Sequence, residues 1–129
     1  MFILTIMPIF KYKELTEQIL GAAFEVHNTL GCGFLEKVYE NALVYELKQR
    51  GLKVTSQKEI KVSYKSQEVG LYVCDILVGE QVIVEVKAVE GITGLHQAQL
   101  LNYLKGSGYE VGLILNFGKP KLEYKRLVV

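Results

Sequence analysis

The chain has 129 residues, with 15 lysines and arginines against 14 acids and a formal net charge of +1. Half of it is hydrophobic and 22% is charged, which excludes a disordered or fibrous chain and allows one ordinary domain with a real core. Near-neutral charge removes any global electrostatic signature of nucleic-acid binding, so such a contact would need a local basic patch.

In chain order, Met1 to Phe10 are apolar but too few to span a bilayer, and they lack the basic start and small-residue cleavage site of a signal peptide. Residues 1–11 are therefore expected to be an extension ahead of a single domain at 12–129. Either the start codon is assigned too early and Met7 is the true start, or the segment adds a short edge strand. From about Lys13 to Leu30, apolar Leu15, Ile19, Ala22, Ala23, Val26 and Leu30 recur at helical spacing. Gly31-Cys32-Gly33 breaks that helix and is no phosphate loop, since no strand precedes it and no Gly-Lys-Ser/Thr follows. A second helix runs to about Arg50, stopped by Gly51. Strands are expected near 53–64, 69–78 and 81–89, then a helix near 94–105 ending at Gly106, then strands near 109–116 and 121–128. The order α-α-β-β-β-α-β-β predicts an α/β domain in which helices flank a mixed sheet.

Two cysteines, Cys32 and Cys74, fit no zinc or redox spacing and point to a reducing, cytoplasmic compartment. Cys74 is expected to face the core, away from Asp75. His27 reads as a helix residue with a structural hydrogen bond rather than as a metal ligand.

The chemistry concentrates in two neighbouring apolar runs, Leu71 to Val78 and Val82 to Val89, separated by Gly79-Glu80-Gln81. Asp75 lies in the first, Glu85-Val86-Lys87 in the second. Alternate strand residues share a face, so Glu85 and Lys87 point one way and Val84, Val86 and Ala88 the other. A hairpin would bring Asp75 alongside them. Charge in such a place costs several kcal/mol unless it is paired or holds a metal. Spacing alone leaves a buried lysine–carboxylate pair without chemistry equally open. On the second helix Glu36 lines up with Glu40, Leu43 and Leu47, at the margin of the stripe made by Leu35, Val38, Tyr39 and Ala42; by itself it reads as a first-turn acid that favours the helix dipole. On the third helix His96, Gln99 and Tyr103 share one face and Leu101 and Leu104 a neighbouring one. Such a polar stripe is ordinarily solvated, but this one starts close enough to Lys87 to border the same cleft.

Asp75-x9-Glu85-x-Lys87 on adjacent strands resembles the core of the PD-(D/E)XK nucleases. From about Tyr12 to Val128 the chain resembles the GxxExxY family of that superfamily. The naming motif stands as Gly33-Phe34-Leu35-Glu36-Lys37-Val38-Tyr39, preceded by Glu25-Val26-His27 and Leu30-Gly31. Gln99-x-x-x-Tyr103 is similar to the QxxxY motif of RecB-like nucleases. Cys74 stands where the superfamily's name would put Pro.

The resemblance implies a restriction-endonuclease-like fold and Mg²⁺- or Mn²⁺-dependent hydrolysis of phosphodiester bonds in nucleic acid, DNA ahead of RNA, with no membrane partner and homo-oligomerisation left open. Asp75, Glu85 and the Val86 carbonyl offer hard oxygen ligands, while the lack of a Cys/His cluster argues against zinc. Lys87 would position the attacking water and stabilise transition-state oxygens. The resemblance moves Glu36 into the active site, completing the ion's outer sphere or helping a second ion, with Glu40 and Glu46 left solvated. Gln99 and Tyr103 would orient Lys87 or touch the nucleic-acid backbone. The alternative is a catalytically silent module of the same fold that binds nucleic acid or a protein partner. Small size, neutral charge and the lack of a DNA-reading domain favour it; the intact acid-acid-lysine set opposes it.

Overall fold

The computed structural model describes residues 12–129, so the expectations for residues 1–11 lie outside it. The elements, in order, are α1 (Lys13–Leu30), α2 (Glu36–Gln49), β1 (Val54–Tyr64), β2 (Gln67–Val78), β3 (Val82–Lys87), α3 (Gly94–Ser107), β4 (Val111–Asn116) and β5 (Glu123–Val128). The helical stripe read from the sequence is the buried face of α1: Ile19, Ala22, Ala23 and Val26 are all in the core. Thr93 caps α3 reciprocally, its hydroxyl accepting from the His96 amide while His96 Nδ1 accepts from the Thr93 amide. The stop expected at Gly106 falls instead at Gly108, which holds the left-handed φ of 84°. Gly106 lies inside the helix for a different reason: a Cβ there would come within 2.8 Å of Val62 Cγ1, so only glycine lets α3 settle this closely on β1.

Five strands form one sheet in the order β1-β2-β3-β4-β5. All neighbours are antiparallel except β3 and β4, which run parallel because α3 carries the chain back between them. Helices α1 and α2 cover one face, packing Leu43 and Leu47 against Ile76, Val78, Val84, Val86, Leu113 and Leu115. Helix α3 covers part of the other, where Leu100 and Leu104 meet Ile60, Tyr72, Cys74, Leu77, Ile83 and Ile114. Leu100, with Leu104, supplies the buried row of α3; Leu101 is only half-buried. Burial of each such leucine contributes about 1.5–3 kcal/mol. Cys74 is in the core as expected, and burial pushes its thiol up to about 11.

One local irregularity organises the rest. Along β2, Tyr72 and Cys74 face α3, yet Ile76 and Val78 face α1 and α2, so the alternation changes phase at Asp75. Across from Asp75 on β1, Gln57 has a φ of 52°, an unfavourable value for a side chain with a Cβ. The β2–β3 ladder runs only from Ile76↔Val84 to Val78↔Val82, and the two strands fork at the next position.

Candidate active site

Asp75 sits at that fork. The Val86 amide, beyond the last rung shared with β2, donates to Asp75 Oδ2 at 2.8 Å. A carboxylate thus takes the place of a main-chain acceptor, satisfying a strand amide that would otherwise be orphaned. Burial raises the Asp75 pKa; the Val86 amide pulls it back, the charges of Glu40 and Glu36 push it up further, and Lys87 draws it down.

Glu85 and Lys87 both line a cavity of about 190 Å³ between the sheet and α3, confirming their common face. Burial pushes the Glu85 carboxyl up to about 7, against the pull of the Lys87 ammonium and the Asp75 backbone amide, with Glu40 and Glu36 again pushing upward. Its Oε1 is buried without a hydrogen-bond partner. His96, Gln99 and Tyr103, the polar stripe of α3, border the same cavity. Tyr72 also lines it, stacked on Tyr103 with ring centroids 3.7 Å apart and planes 6° from parallel. The Tyr72 hydroxyl, like Glu85 Oε1, is buried and unpartnered.

The two acids of α2 exchange the surroundings expected of them. Glu36 is exposed, and Glu40, expected to be solvated, is only 5% exposed. Glu40 Oε2 accepts from Gln57 Nε2 at 2.8 Å and Lys37 Nζ at 3.0 Å, with the Ser56 hydroxyl at 3.4 Å. Gln57, the residue of β1 with the left-handed backbone, makes the shortest of these contacts. Both charges act on Asp75 and Glu85, Glu40 the more strongly. A signal for Glu40 was present in its row with Leu43 and Leu47, both core residues. Glu46 is half-buried and paired with Arg50 at 2.8 Å.

The residues around the glycine motif build the scaffold beneath this site. Tyr39 is fully buried; its hydroxyl donates to the Gly31 carbonyl at 2.6 Å and accepts from the Phe34 amide at 3.2 Å, tying down the loop that starts α2. Tyr39 stacks on Phe117, and Phe117 on His27. His27 Nε2 donates to the Lys119 carbonyl at 2.8 Å, the structural role expected of it. Behind Lys87, the fully buried Asn116 grips the loop leading to α3. Its Oδ1 accepts from the Val89 and Gly118 amides, and its Nδ2 donates to the Val89 carbonyl and to Glu123 Oε1. Glu123 Oε1 in turn accepts from the Ile92 amide. Nothing in the sequence marked Asn116 beyond a polar residue closing an apolar run.

The donor chemistry suits a hard divalent cation. Carboxylates with raised affinity for a proton, one of them carrying an orphaned buried oxygen, favour a ligand that supplies positive charge. Among the described residues, no three His, Cys, Asp or Glu side chains are grouped as a ready cage. Mg²⁺ is commonly held by one or two carboxylates and by water, and Asp75 and Glu85 can meet that requirement.

A family model described as the PD-(D/E)XK nuclease superfamily matches residues 13–127. A solved structure titled "Crystal structure of SSO0001" is similar at a TM-score of 0.52 and 16% identity, over 94% of this chain and 61% of that one. The chain therefore spans under two thirds of that protein's length, and the likeness concerns the fold alone. No curated protein matches. No described helix is long and apolar enough to cross a membrane.

Proposed function

Because the chain belongs to the PD-(D/E)XK nuclease superfamily, we propose that it is a metal-dependent nuclease hydrolysing phosphodiester bonds of DNA, with RNA the second choice, through Asp75, Glu85 and Lys87. The observation that carries this reading is Glu85 Oε1, buried and unpartnered in a cavity it shares with Lys87. An unsatisfied buried acceptor costs about 1–3 kcal/mol, more if charged, and a cation would relieve it. The GxxExxY motif around Glu36 and the Gln99-x-x-x-Tyr103 spacing support placing the chain within the same branch of that superfamily. The free thiols of Cys32 and Cys74 fit a reducing, cytoplasmic setting.

Asp75, Glu85 and the Val86 carbonyl would hold Mg²⁺ or Mn²⁺, with Glu36 and Glu40 lending negative charge outside the ligand shell. Such an ion supplies a bound water of lowered pKa and neutralises charge on the scissile phosphate. Lys87 donates to the attacking water and to the developing phosphoryl oxygens, where a fixed ammonium is worth more than in bulk water. Glu85, whose carboxyl burial raises to about 7, would be held ionised by such a cation. His96, Gln99 and Tyr103 line the cavity wall; from there Gln99 and Tyr103 would orient Lys87 or touch the nucleic-acid backbone.

The test pairs thermal melting with cleavage of single- and double-stranded DNA and RNA. Mg²⁺ or Mn²⁺ is expected to raise the melting temperature by mass action. Asp75→Asn should remove that shift, while Lys87→Ala should keep the shift and lose cleavage. Metal binding without cleavage of any substrate would leave the binding module. An Asp75→Asn variant that still shifts and still cleaves would overturn the assignment.

A further inference from the structure

β1 carries an open edge of the sheet: among the described residues it pairs only with β2. The β1–β2 ladder runs well past the fork, so residues 58–74 project as a two-stranded ribbon. Helix α3 covers the side bearing Ile60, Tyr72 and Cys74. On the opposite side Val69, Leu71 and Val73 are 61%, 56% and 48% exposed, with Lys61 across from Leu71 and Glu59 across from Val73. A long unpaired edge is a template for another strand unless proline, a bulge or like charges block it. Residues 58–64 contain no proline, and their one irregularity lies at the far end, between Val62 and Ser63. The charged residues of β1 on the open face, Glu59 and Lys61, are opposite in sign, and Lys61 Nζ lies 3.8 Å from Glu68 Oε2 of its own ribbon, a long exposed pair worth little that leaves the ammonium able to take a second carboxylate.

The opposite signs of Glu59 and Lys61 are self-complementary. Directly opposed residues of an antiparallel pair lie on the same face, so β1 can meet its own copy about a twofold axis normal to the sheet. With the axis at Ile60, Glu59 stands opposite the partner's Lys61, and Lys61 opposite the partner's Glu59. We infer that β1 docks edge to edge with β1 of a second copy, fusing two sheets across a twofold axis at Ile60 and closing two Glu59–Lys61 ion pairs. The exposed rows of Leu71 and Val73 then flank the charged seam as one continuous surface of four strands, with the aliphatic stems of Glu59 and Lys61 lying against them.

Sedimentation equilibrium of the full chain at low salt tests this, because exposed ion pairs are screened as salt rises. The expected result is a concentration-dependent monomer–dimer equilibrium. Lys61→Glu turns two attractive cross-strand pairs repulsive and should weaken dimerisation about thirtyfold. The double exchange Glu59→Lys with Lys61→Glu should restore the original affinity. Both positions are exposed and the Lys61–Glu68 pair lost in either variant is a surface one, so at a concentration where all forms are monomeric the two variants should melt together, within about 1 kcal/mol of the parent, and confirm intact folding. A monomer at every concentration, a dimer indifferent to Lys61→Glu, or a double exchange as weak as the single variant would each overturn the inference.

Discussion

Glu85→Gln isolates the energetic consequence of placing a carboxyl at the fork. In the folded protein this carboxyl titrates at about 7, against 4.5 for an unperturbed glutamate. Between those values the folded chain holds a proton that the unfolded chain has released. Stability therefore falls as pH rises through that window, by about 3 kcal/mol in all if Glu85 acted alone. Asp75, shifted in the same direction, adds to the slope. Glutamine has the same shape and no proton to lose, so the variant should lose most of the dependence between pH 5 and pH 8. Its amide inherits the partnerless position of Oε1, a penalty the protonated parent carries as well. The variant is thus expected to lie close to the parent in stability at pH 5 and to exceed it at pH 8. Urea unfolding followed by circular dichroism, at both pH values with a chelator present, measures the difference. Mg²⁺ added at pH 8 should stabilise the parent and not the variant. Parallel pH slopes for the two proteins would refute the reasoning.

Three further outcomes follow from the packing around the site. Glu40→Gln should destabilise the fold by about 1–2 kcal/mol, because three donors converge on Oε2, whereas Glu36→Gln should stay within about 0.5 kcal/mol; the reverse order in urea unfolding would restore Glu36 as the inner acid. Asn116→Ala strands the Val89 amide and carbonyl and the Gly118 amide, and a loss of roughly 3 kcal/mol is expected, so an unchanged unfolding midpoint would show that water replaces the side chain. Gly118→Ala would place a Cβ 2.5 Å from both the nitrogen and the oxygen of Val89, main-chain atoms that cannot rotate away; thermal melting should show a loss of at least about 2 kcal/mol, and a wild-type melting temperature would mean that the 88–90 loop yields.

Much of this architecture was legible because local rules and global packing agree. The stripe from Leu15 to Val26 has one helical solution, and Gly31 ends it with a φ of 71°. Asp75, Glu85 and Lys87 stood out because charge in an apolar strand demands a reason. The inner acid of α2 did not, since Glu36 and Glu40 are one helical turn apart and periodicity places both at the margin of the buried stripe. What separates them is Gln57, whose left-handed backbone belongs to β1 and becomes readable only once β1 lies against α2. The stop of α3 failed similarly: Gly106 looks like a terminator, but it answers to Val62, over forty residues earlier in the chain. Asn116 was silent because its partners are amides and carbonyls, which every residue carries.

The fork between β2 and β3 makes the protein its own indicator. The Val86 amide is a single proton shared between a strand and the Asp75 carboxylate, so whatever happens to that carboxylate is registered on a backbone nucleus. If Asp75 holds a cation as proposed, loading it would draw electron density from the acceptor and lengthen the bond; protonating Asp75 would weaken it further. The nitrogen and proton frequencies of this one amide should therefore move with occupancy and pH, while the paired amides of Val82 and Val84 hold still. A magnetic-resonance spectrum could follow the site's state without substrate, product or added label.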